Sequence, residues 1–397
     1  MIEWSEQHLM IRDTVRRFVD AEIVPNLEEL EHGDMPPYEI LRKLYKSFGM
    51  DEIATARFEK QIAREKRAAA GEAPPEKKRA RETGGRGDAA AMALIPIIEL
   101  CRYCPGMVTA LGVSTGLTGA AIMSKGTIEQ KERWGLDVLT LKKIGAWAIT
   151  EPGSGSDAFG SMKATARLQD DGSYLLNGNK TFITNGPYAD TIVFICKLDE
   201  EGVDPRDRKV MNFVLDSGME GLEQSKPMRK MGLHSSPTGE LFLQDVVAGP
   251  ERLLVSTERY GVAAMALGII ERCQELSLEY AKERVQFGKP IGEFQLIQEK
   301  LARMEVARMN VQNLVFRIIE GAEKGRGVSL AEASAMKLYS ARAAVEVAQE
   351  AVQIYGGNGY MAEYKVEQLA RDARVLQIYA GTDEIQISTI ARDLLSR

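Results

Sequence analysis

The chain has 397 residues, 44% of them hydrophobic and 27% charged, with a formal net charge of −6. That length accommodates two or three lobes with sizeable cores, and the balance is that of an ordinary globular protein. The negative charge argues against wholesale nucleic-acid binding, and no run reads as the ~18 apolar residues of a membrane span. The N-terminal stretch MIEWSEQHLMIRD lacks a signal-peptide core, so the expected location is intracellular. Four cysteines (Cys101, Cys104, Cys196, Cys273) are too few and too scattered for a disulfide framework. Cys101 and Cys104 form a C-x-x-C, a pattern found in redox and zinc sites. With three histidines in the chain and no second pair, they are read as reduced thiols and no metal is expected.

The first elements read as helices. Trp4, Ile11, Val15, Phe18 and Ile23 share one face, and Pro25 ends that pattern. A second helical stretch precedes Met50. From Arg57 to Arg86 the character changes: ten basic and five acidic residues, two prolines and almost no large apolar groups. Such a segment buries too little surface to offset its ordering entropy. Residues 57–90 are therefore expected to form a solvated, mobile insertion in an N-terminal helical lobe spanning 1–143. Helical texture resumes at Met92, and Thr127-Ile-Glu-Gln130 reads as a capping box.

Residues 144–250 are strand-like. Short β-rich runs at 147–149, 174–176, 181–183, 191–195, 210–214 and 241–243 are separated by turn residues. Asn177-Gly178 predicts a type I′ hairpin. No strand–helix–strand alternation is present, which implies an antiparallel sheet or small barrel and excludes a Rossmann unit. Gly153-x-Gly155 lacks the third glycine and the crossover helix of a dinucleotide fingerprint. From residue 255 to 397 helical stripes return. Val262, Met265, Ile269, Cys273, Leu276 and Tyr280 make the first, and Phe294, Ile297, Leu301, Met304, Val311, Leu314, Val315 and Ile318 the second. Ser329-Leu-Ala-Glu332 opens a third helix ending at Gly356-Gly357, and Thr382 caps a last one to Leu395. The predicted fold class is α+β in three lobes: helical, β-sheet or barrel, and a four-helix bundle.

Four motifs occur in a fixed order: AWAITEPGSGSD (146–157), KTFITNG (180–186), ERVQFGKPI (283–291) with Gln295, and QIYGGNGY (353–360) followed by IYAGTDEIQ (378–386). In this order the chain resembles the acyl-CoA dehydrogenase family, over roughly Ala91 to Arg397. The resemblance implies FAD as cofactor, an acyl-CoA substrate, and α,β-dehydrogenation to the trans-2-enoyl-CoA. It also implies an electron-transferring flavoprotein as acceptor and a homotetramer built as a dimer of dimers. Cofactor contacts are implied for Trp147, Ile149, Thr150, Gly155, Ser156, Phe182 and Thr184. From an adjacent subunit they are implied for Arg284, Gln286, Phe287, Gln353, Gly356 and Gly357, and further contacts for Thr382 and Glu384. Ser156, Arg259 and Tyr379 fall at substrate positions.

Many family members carry the catalytic glutamate where this chain has Ala380. The resemblance assigns the backbone N–H at that position to polarise the thioester carbonyl, a role that survives loss of the side chain. A branch of the family that includes isovaleryl- and long-chain-type enzymes places its base on the first bundle helix. Here Glu258-Arg259 precedes Phe287 at that branch's spacing, which makes Glu258 the candidate base; a carboxylate in a desolvated pocket suits proton abstraction from a weak acid. The alternative is a solvated first-turn glutamate favoured by the helix dipole.

Three departures stand out. The charged insertion replaces a loop of the N-terminal lobe, His234 stands where many members have arginine, and Val247–Pro250 runs to Glu258 without the usual glycine-rich loop. Three other readings keep the fold: an oxidase using oxygen, a non-catalytic FAD-holding subunit of a heteromeric dehydrogenase, and a DNA-binding member. The cytoplasm, or the mitochondrial matrix in a eukaryote, is the expected location.

Overall fold

The computed structural model describes residues 4–71, 86–254, 262–323 and 328–396. Glu6–Phe18 opens the chain, with Ser5 and His8 closing a reciprocal cap. The helix widens to a π turn at Val19–Ile23 and tightens to a 3-10 turn at Val24–Asn26, around Pro25, and helices follow at Tyr38–Ser47 and Met50–Ala69. This last helix corrects the expectation for the insertion. Phe58 and Ile62 are buried on it and pack near Met123, so two well-spaced apolar residues suffice to dock a strongly charged helix. The remainder of the charged segment, 72–85, lies outside the described residues.

Helix Arg86–Cys101 leads into a continuous helical run, Pro105–Leu111, π-helical Gly112–Gly119 and Ala120–Lys125. That run corrects a second expectation. It is 21 residues long with mean hydropathy 1.4, enough by length and composition to cross a membrane, yet 61% of its window is buried as a core helix. Thr127 and Gln130 form the predicted capping box.

The middle lobe contains strands β1 (Gly145–Ala148), β2 (Thr165–Leu168), β3 (Tyr174–Thr184), β4 (Thr191–Leu198), β5 (Val210–Asp216), β6 (Leu222–Gln224), β7 (Thr238–Ala248) and β8 (Leu253–Leu254). The sheet is open, in the order β6-β7-β3-β2-β4-β5-β8, with β1 beside β4. Most pairs are antiparallel, but β1 and β2 both run parallel to β4, so the sheet is mixed and not closed into a barrel. Asn177-Gly178 does not form a hairpin. It lies inside the long strand β3 at a bulge against β7, where Gly178 has φ 149° and an added Cβ would fall 2.5 Å from the Ala164 Cβ. The β2–β3 reversal falls earlier, at Gln169–Ser173, where Gln169 and Ser173 close the turn. The glycine serves close approach at a bulge, a use of the same residue type that sequence spacing does not separate from a turn.

Helices Val262–Glu283, Gln295–Glu323, Leu330–Tyr355 and Asp383–Leu395 form the C-terminal bundle, with a shorter helix, Val366–Val375, beside them. Ser329 and Glu332 make the predicted capping box, and Gly356 ends that helix at φ 60°. The two helical lobes share one hydrophobic core, in which Val15, Ile23 and Leu44 join Leu267, Ile270, Met304 and Val347. Gly268 allows the crossing of the first bundle helix with Arg86–Cys101, because a Cβ there would meet the Ile98 carbonyl oxygen at 2.2 Å. The sheet has a separate core around Leu176, Phe194 and Phe213. All four cysteines are buried and free, and among the described residues no group of His, Cys, Asp and Glu could hold a metal ion.

Candidate active site

The site starts where β1 leaves the sheet. Thr181 of β3 donates its N–H to the Thr150 carbonyl at 2.9 Å, and Lys180 Nζ donates to the Ile149 carbonyl at 3.0 Å. Lys180 also lies 2.8 Å from Glu151 Oε1, while the Glu151 carboxylate accepts the Lys163 and Ala164 N–H groups at 2.6 and 3.0 Å. Burial pulls the Lys180 ammonium below its usual value, opposed by Glu151. The 151–154 loop is closed by Glu151 and Ser154 through both main-chain bonds, which leaves Gly155 and Ser156 exposed beyond it.

Two signs of an unfilled demand lie beside this anchor. The Trp147 indole Nε1 is buried with no hydrogen-bond partner among the described residues. Phe182 is thrown out of β3 by its second bulge, at φ 57° and 66% exposed. A left-handed, solvent-facing aromatic on a strand is costly in isolation and points to a partner for its ring. Thr184, half-buried, ends the same strand.

Asn185, which the sequence reading did not single out, is the peg of the region. At φ 66° and fully buried, it donates to the Ala110 and Gly145 carbonyls, each at 2.9 Å, and accepts from the Tyr38 hydroxyl at 3.0 Å. It ties β1, β3 and the N-terminal lobe together. Its signal was only its place in KTFITNG.

The tail segment forms a second wall. Ile378 and Tyr379 are fastened by their N–H groups to the Val375 carbonyl at 2.8 and 3.0 Å. Ala380 and Gly381 then turn left-handed, at φ 52° and 88°. Gln386, also missed from sequence, donates to both of their carbonyls at 3.2 and 3.1 Å. Among the described residues the Ala380 N–H has no acceptor. The Tyr379 hydroxyl lies 3.2 Å from Met265 Sδ, and burial with Cys101 nearby pushes its phenol above the ordinary value, keeping it neutral. The start of the first bundle helix is therefore against the Ala380 segment. Glu258 and Arg259 lie outside the described residues.

The remaining predicted positions form exposed features. Arg284 and Gln286 flank a small hairpin whose turn, Phe287-Gly288, has φ 51° and 81°, and Phe287 is 95% exposed. Gln353, Gly356 and Gly357 are exposed at the end of the third long helix. Thr382 occupies the N-cap position of the last helix, followed by exposed Glu384.

Models described as the N-terminal, middle and C-terminal domains of acyl-CoA dehydrogenase match residues 5–71 with 77–141, 146–246 and 253–395. The chain belongs to the acyl-CoA dehydrogenase family. The match includes the first helices, so it reaches further toward the N-terminus than the motifs alone. Among relatives, the chain is 35% identical to the 3-(aryl)acrylate reductase of Clostridium sporogenes, with 99% of each chain covered. It is 34% identical to the caffeyl-CoA reductase-Etf complex subunit CarC of Acetobacterium woodii, over 99% of this chain and 100% of that one. Among solved structures, the butyryl-CoA dehydrogenase of Megasphaera elsdenii superposes with a TM-score of 0.81 at 31% identity, covering 100% of both. Acyl-CoA dehydrogenases are FAD enzymes, and the unpartnered Trp147 indole and the exposed Phe182 ring fit an isoalloxazine.

Proposed function

We propose that this chain dehydrogenates an acyl-CoA thioester at its α,β-bond and passes the electrons to an electron-transferring flavoprotein. FAD, held by Trp147, Ile149, Thr150, Gly155, Ser156, Phe182 and Thr184, supplies the hydride acceptor. The chain's own work is to acidify and remove the α-proton. The Ala380 N–H polarises the thioester carbonyl, Tyr379 and Met265 wall the pocket from water, and Glu258 takes the proton. Ser156 and Arg259 hold the CoA portion.

The observation that carries this reading is the contact of Tyr379 with Met265, which brings the helix following Glu258 against the free N–H of Ala380. Anaerobic titration of the purified protein with straight, branched and aryl acyl-CoAs tests it. Flavin bleaching by one class, lost in Glu258→Gln, is expected; bleaching at a normal rate in that variant overturns the assignment of the base. Two relatives are named as reductases, which favours as a second reading the same site run toward enoyl reduction. Reduced electron-transferring flavoprotein with an arylacrylyl-CoA distinguishes the direction.

The exposed set Arg284, Gln286, Phe287, Gln353, Gly356 and Gly357, with Thr382 and Glu384, completes the cofactor site of a neighbouring subunit in a homotetramer. The 95% exposure of Phe287 supports this, since within its own chain the ring meets only the edge of Phe294 and leaves nearly all its apolar surface open to a partner. The assembly works in the cytoplasm or the mitochondrial matrix.

A further inference from the structure

Helix Met50–Ala69 carries a row of cations that the proposed chemistry does not use. Arg57, Lys60, Arg64 and Arg67 follow one another at intervals of three, four and three residues, which places them on one face of the helix. All four are exposed. At the rise of an α-helix, Arg57 and Arg67 stand about 15 Å apart along the axis.

The row is set apart by its neighbours. Positions three and four residues from each member hold apolar residues, glycine, Gln61 or another cation of the row, and no acid. Among the described residues none of the four makes an ion pair or a side-chain hydrogen bond. Arg64 acts on Glu65 through its charge, but that carboxylate is already held by Lys131 at 2.6 Å and Gln61 at 2.9 Å. Lys66, just off the row, has its own acid in Glu132 at 2.6 Å. Like charges at these spacings repel and weaken a helix. The helix dipole favours cations only in the last turn, which covers Arg67 and leaves Arg57 and Lys60 without that support. A self-repelling row without acids calls for an anion from outside the chain.

The position of the helix says which anion. Its opposite face buries Phe58 and Ile62 against Met123. The next residue, Ile122, is fully buried in the cluster that takes in Trp147 and Ile149, the proposed flavin contacts. Two neighbouring side chains, Ile122 and Met123, therefore separate this helix from the flavin wall. The cations stand on the outer side of that wall, where an electron acceptor coming to this flank of the molecule meets them first.

The overall charge narrows the choice further. A net charge of −6 sets most of the surface against a polyphosphate or an anionic bilayer. A protein can present carboxylates at this row alone, and a transient redox encounter needs only a small interface steered by charge.

We infer that the helix face bearing Arg57, Lys60, Arg64 and Arg67 docks an acidic patch of the electron-transferring flavoprotein and holds that acceptor on the outer side of the flavin wall. The choice of partner rests on the dehydrogenase reading; the unpaired row does not. The row acts on the encounter and has no part in the proton and hydride steps. It therefore governs how tightly and how fast the acceptor binds, and leaves reduction of the flavin by substrate unchanged.

The test uses full-length, FAD-loaded protein and a variant combining Arg57→Gln, Lys60→Gln, Arg64→Gln and Arg67→Gln. Glutamine keeps the helix and removes the repulsion, so the melting temperature should hold or rise. Turnover is followed with two acceptors, the electron-transferring flavoprotein of the same organism and a small ferrocenium dye that needs no docking surface. In the variant the KM for the flavoprotein should rise on the order of 10- to 100-fold, with anaerobic bleaching and dye reduction unchanged. Raising salt from about 20 to about 300 mM should weaken wild type toward the variant and barely move the variant itself. Equal KM values and equal salt slopes would overturn the inference. So would wild type that retains a DNA duplex or phosphatidylglycerol vesicles through these four residues while its flavoprotein kinetics ignore them. If no acyl-CoA bleaches even wild type, the dehydrogenase reading fails, and sedimentation of the chain with the flavoprotein still decides the docking: a salt-sensitive complex lost in the variant supports it, and its absence in wild type refutes it.

Discussion

Lys180 Nζ lies 2.8 Å from Glu151 Oε1 in the middle lobe, with the two side chains 0% and 5% exposed. The same ammonium holds the Ile149 carbonyl, and the same carboxylate holds two N–H groups of the 163–164 segment. One ion pair thus fixes the backbone on which Thr150 is presented. Lys180→Met strands a buried carboxylate and should cost roughly 3–5 kcal/mol by chemical denaturation. The double variant Lys180→Met/Glu151→Gln should cost clearly less. Equal losses in the two would show that the pair does not act through charge compensation.

Phe182 is held at φ 57°, a conformation that costs an L-residue roughly 1–2 kcal/mol. Phe182→Gly removes that strain, against a glycine entropy penalty of roughly 0.5–1 kcal/mol. The apo melting temperature should therefore stay level or rise slightly. FAD affinity should nonetheless fall, roughly 2- to 10-fold for the loss of one aromatic contact. Unchanged FAD affinity in the variant would remove Phe182 from the cofactor site.

Much of this architecture was legible because helices announce themselves by period and caps: Thr127 with Gln130, Ser329 with Glu332 and the Gly356 stop all stand where their chemistry placed them. The errors share one cause, that a residue type does not name its environment. Gly178 reads as a turn glycine but serves a bulge beside Ala164, because a strand needing close approach and a hairpin needing positive φ select the same residue. Phe58 and Ile62 look too sparse to anchor a helix until Met123 arrives from elsewhere in the chain. In the candidate site, the motifs singled out Trp147, Phe182 and Ala380. Asn185 and Gln386 were missed because their work is to hold main-chain carbonyls distant in sequence or across a turn, which leaves no pattern of its own.

Between the first bundle helix and Arg86–Cys101, buried Arg102 lies 3.3 Å from Glu99 Oε2 and 3.7 Å from Glu271 Oε2, and pairs with Glu275. Burial, reinforced by Glu99 and partly offset by Arg102, raises the Glu271 carboxyl from 4.5 to about 7. Its folded value lies above its unfolded one, so the stability it carries is complete below about pH 4.5 and is lost as pH rises through about 7. Glu271→Gln should flatten that fall, and the variant should be more stable at neutral pH by at most on the order of 3 kcal/mol. Thermal melts across this window check it; a variant as pH-sensitive as wild type would rule Glu271 out as the source.

Phe287 supplies a test of the assembly and of the cofactor site shared across it. At 95% exposure on a hairpin tip, its removal costs a single chain almost no burial. Phe287→Ala should leave the secondary structure unchanged while lowering oligomer mass at micromolar concentrations and accelerating FAD loss on dilution. Retention of both full assembly and FAD would remove this hairpin from the subunit interface.

The proposed division of labour between Glu258 and Ala380 is testable by moving the carboxylate. Ala380 is left-handed at φ 52°, and its carbonyl and that of Gly381 are held by Gln386, so the main chain is fixed independently of the side chain. Glutamate and alanine both carry a Cβ, so Ala380→Glu adds no backbone strain of its own. Glu258→Gln alone should lose more than the ~10²–10⁴ typical of general-base removal, because on the proposed mechanism no water takes its place. Adding Ala380→Glu sets a carboxylate beside the thioester α-carbon from the opposite wall and should restore part of the bleaching rate, on the order of 10- to 100-fold over the single variant. Recovery should follow the ionisation of the new carboxyl, rising with pH. A double variant that binds acyl-CoA normally but bleaches no faster than Glu258→Gln would mean the Ala380 segment does not face the reacting carbon, and the N–H role would fall with it.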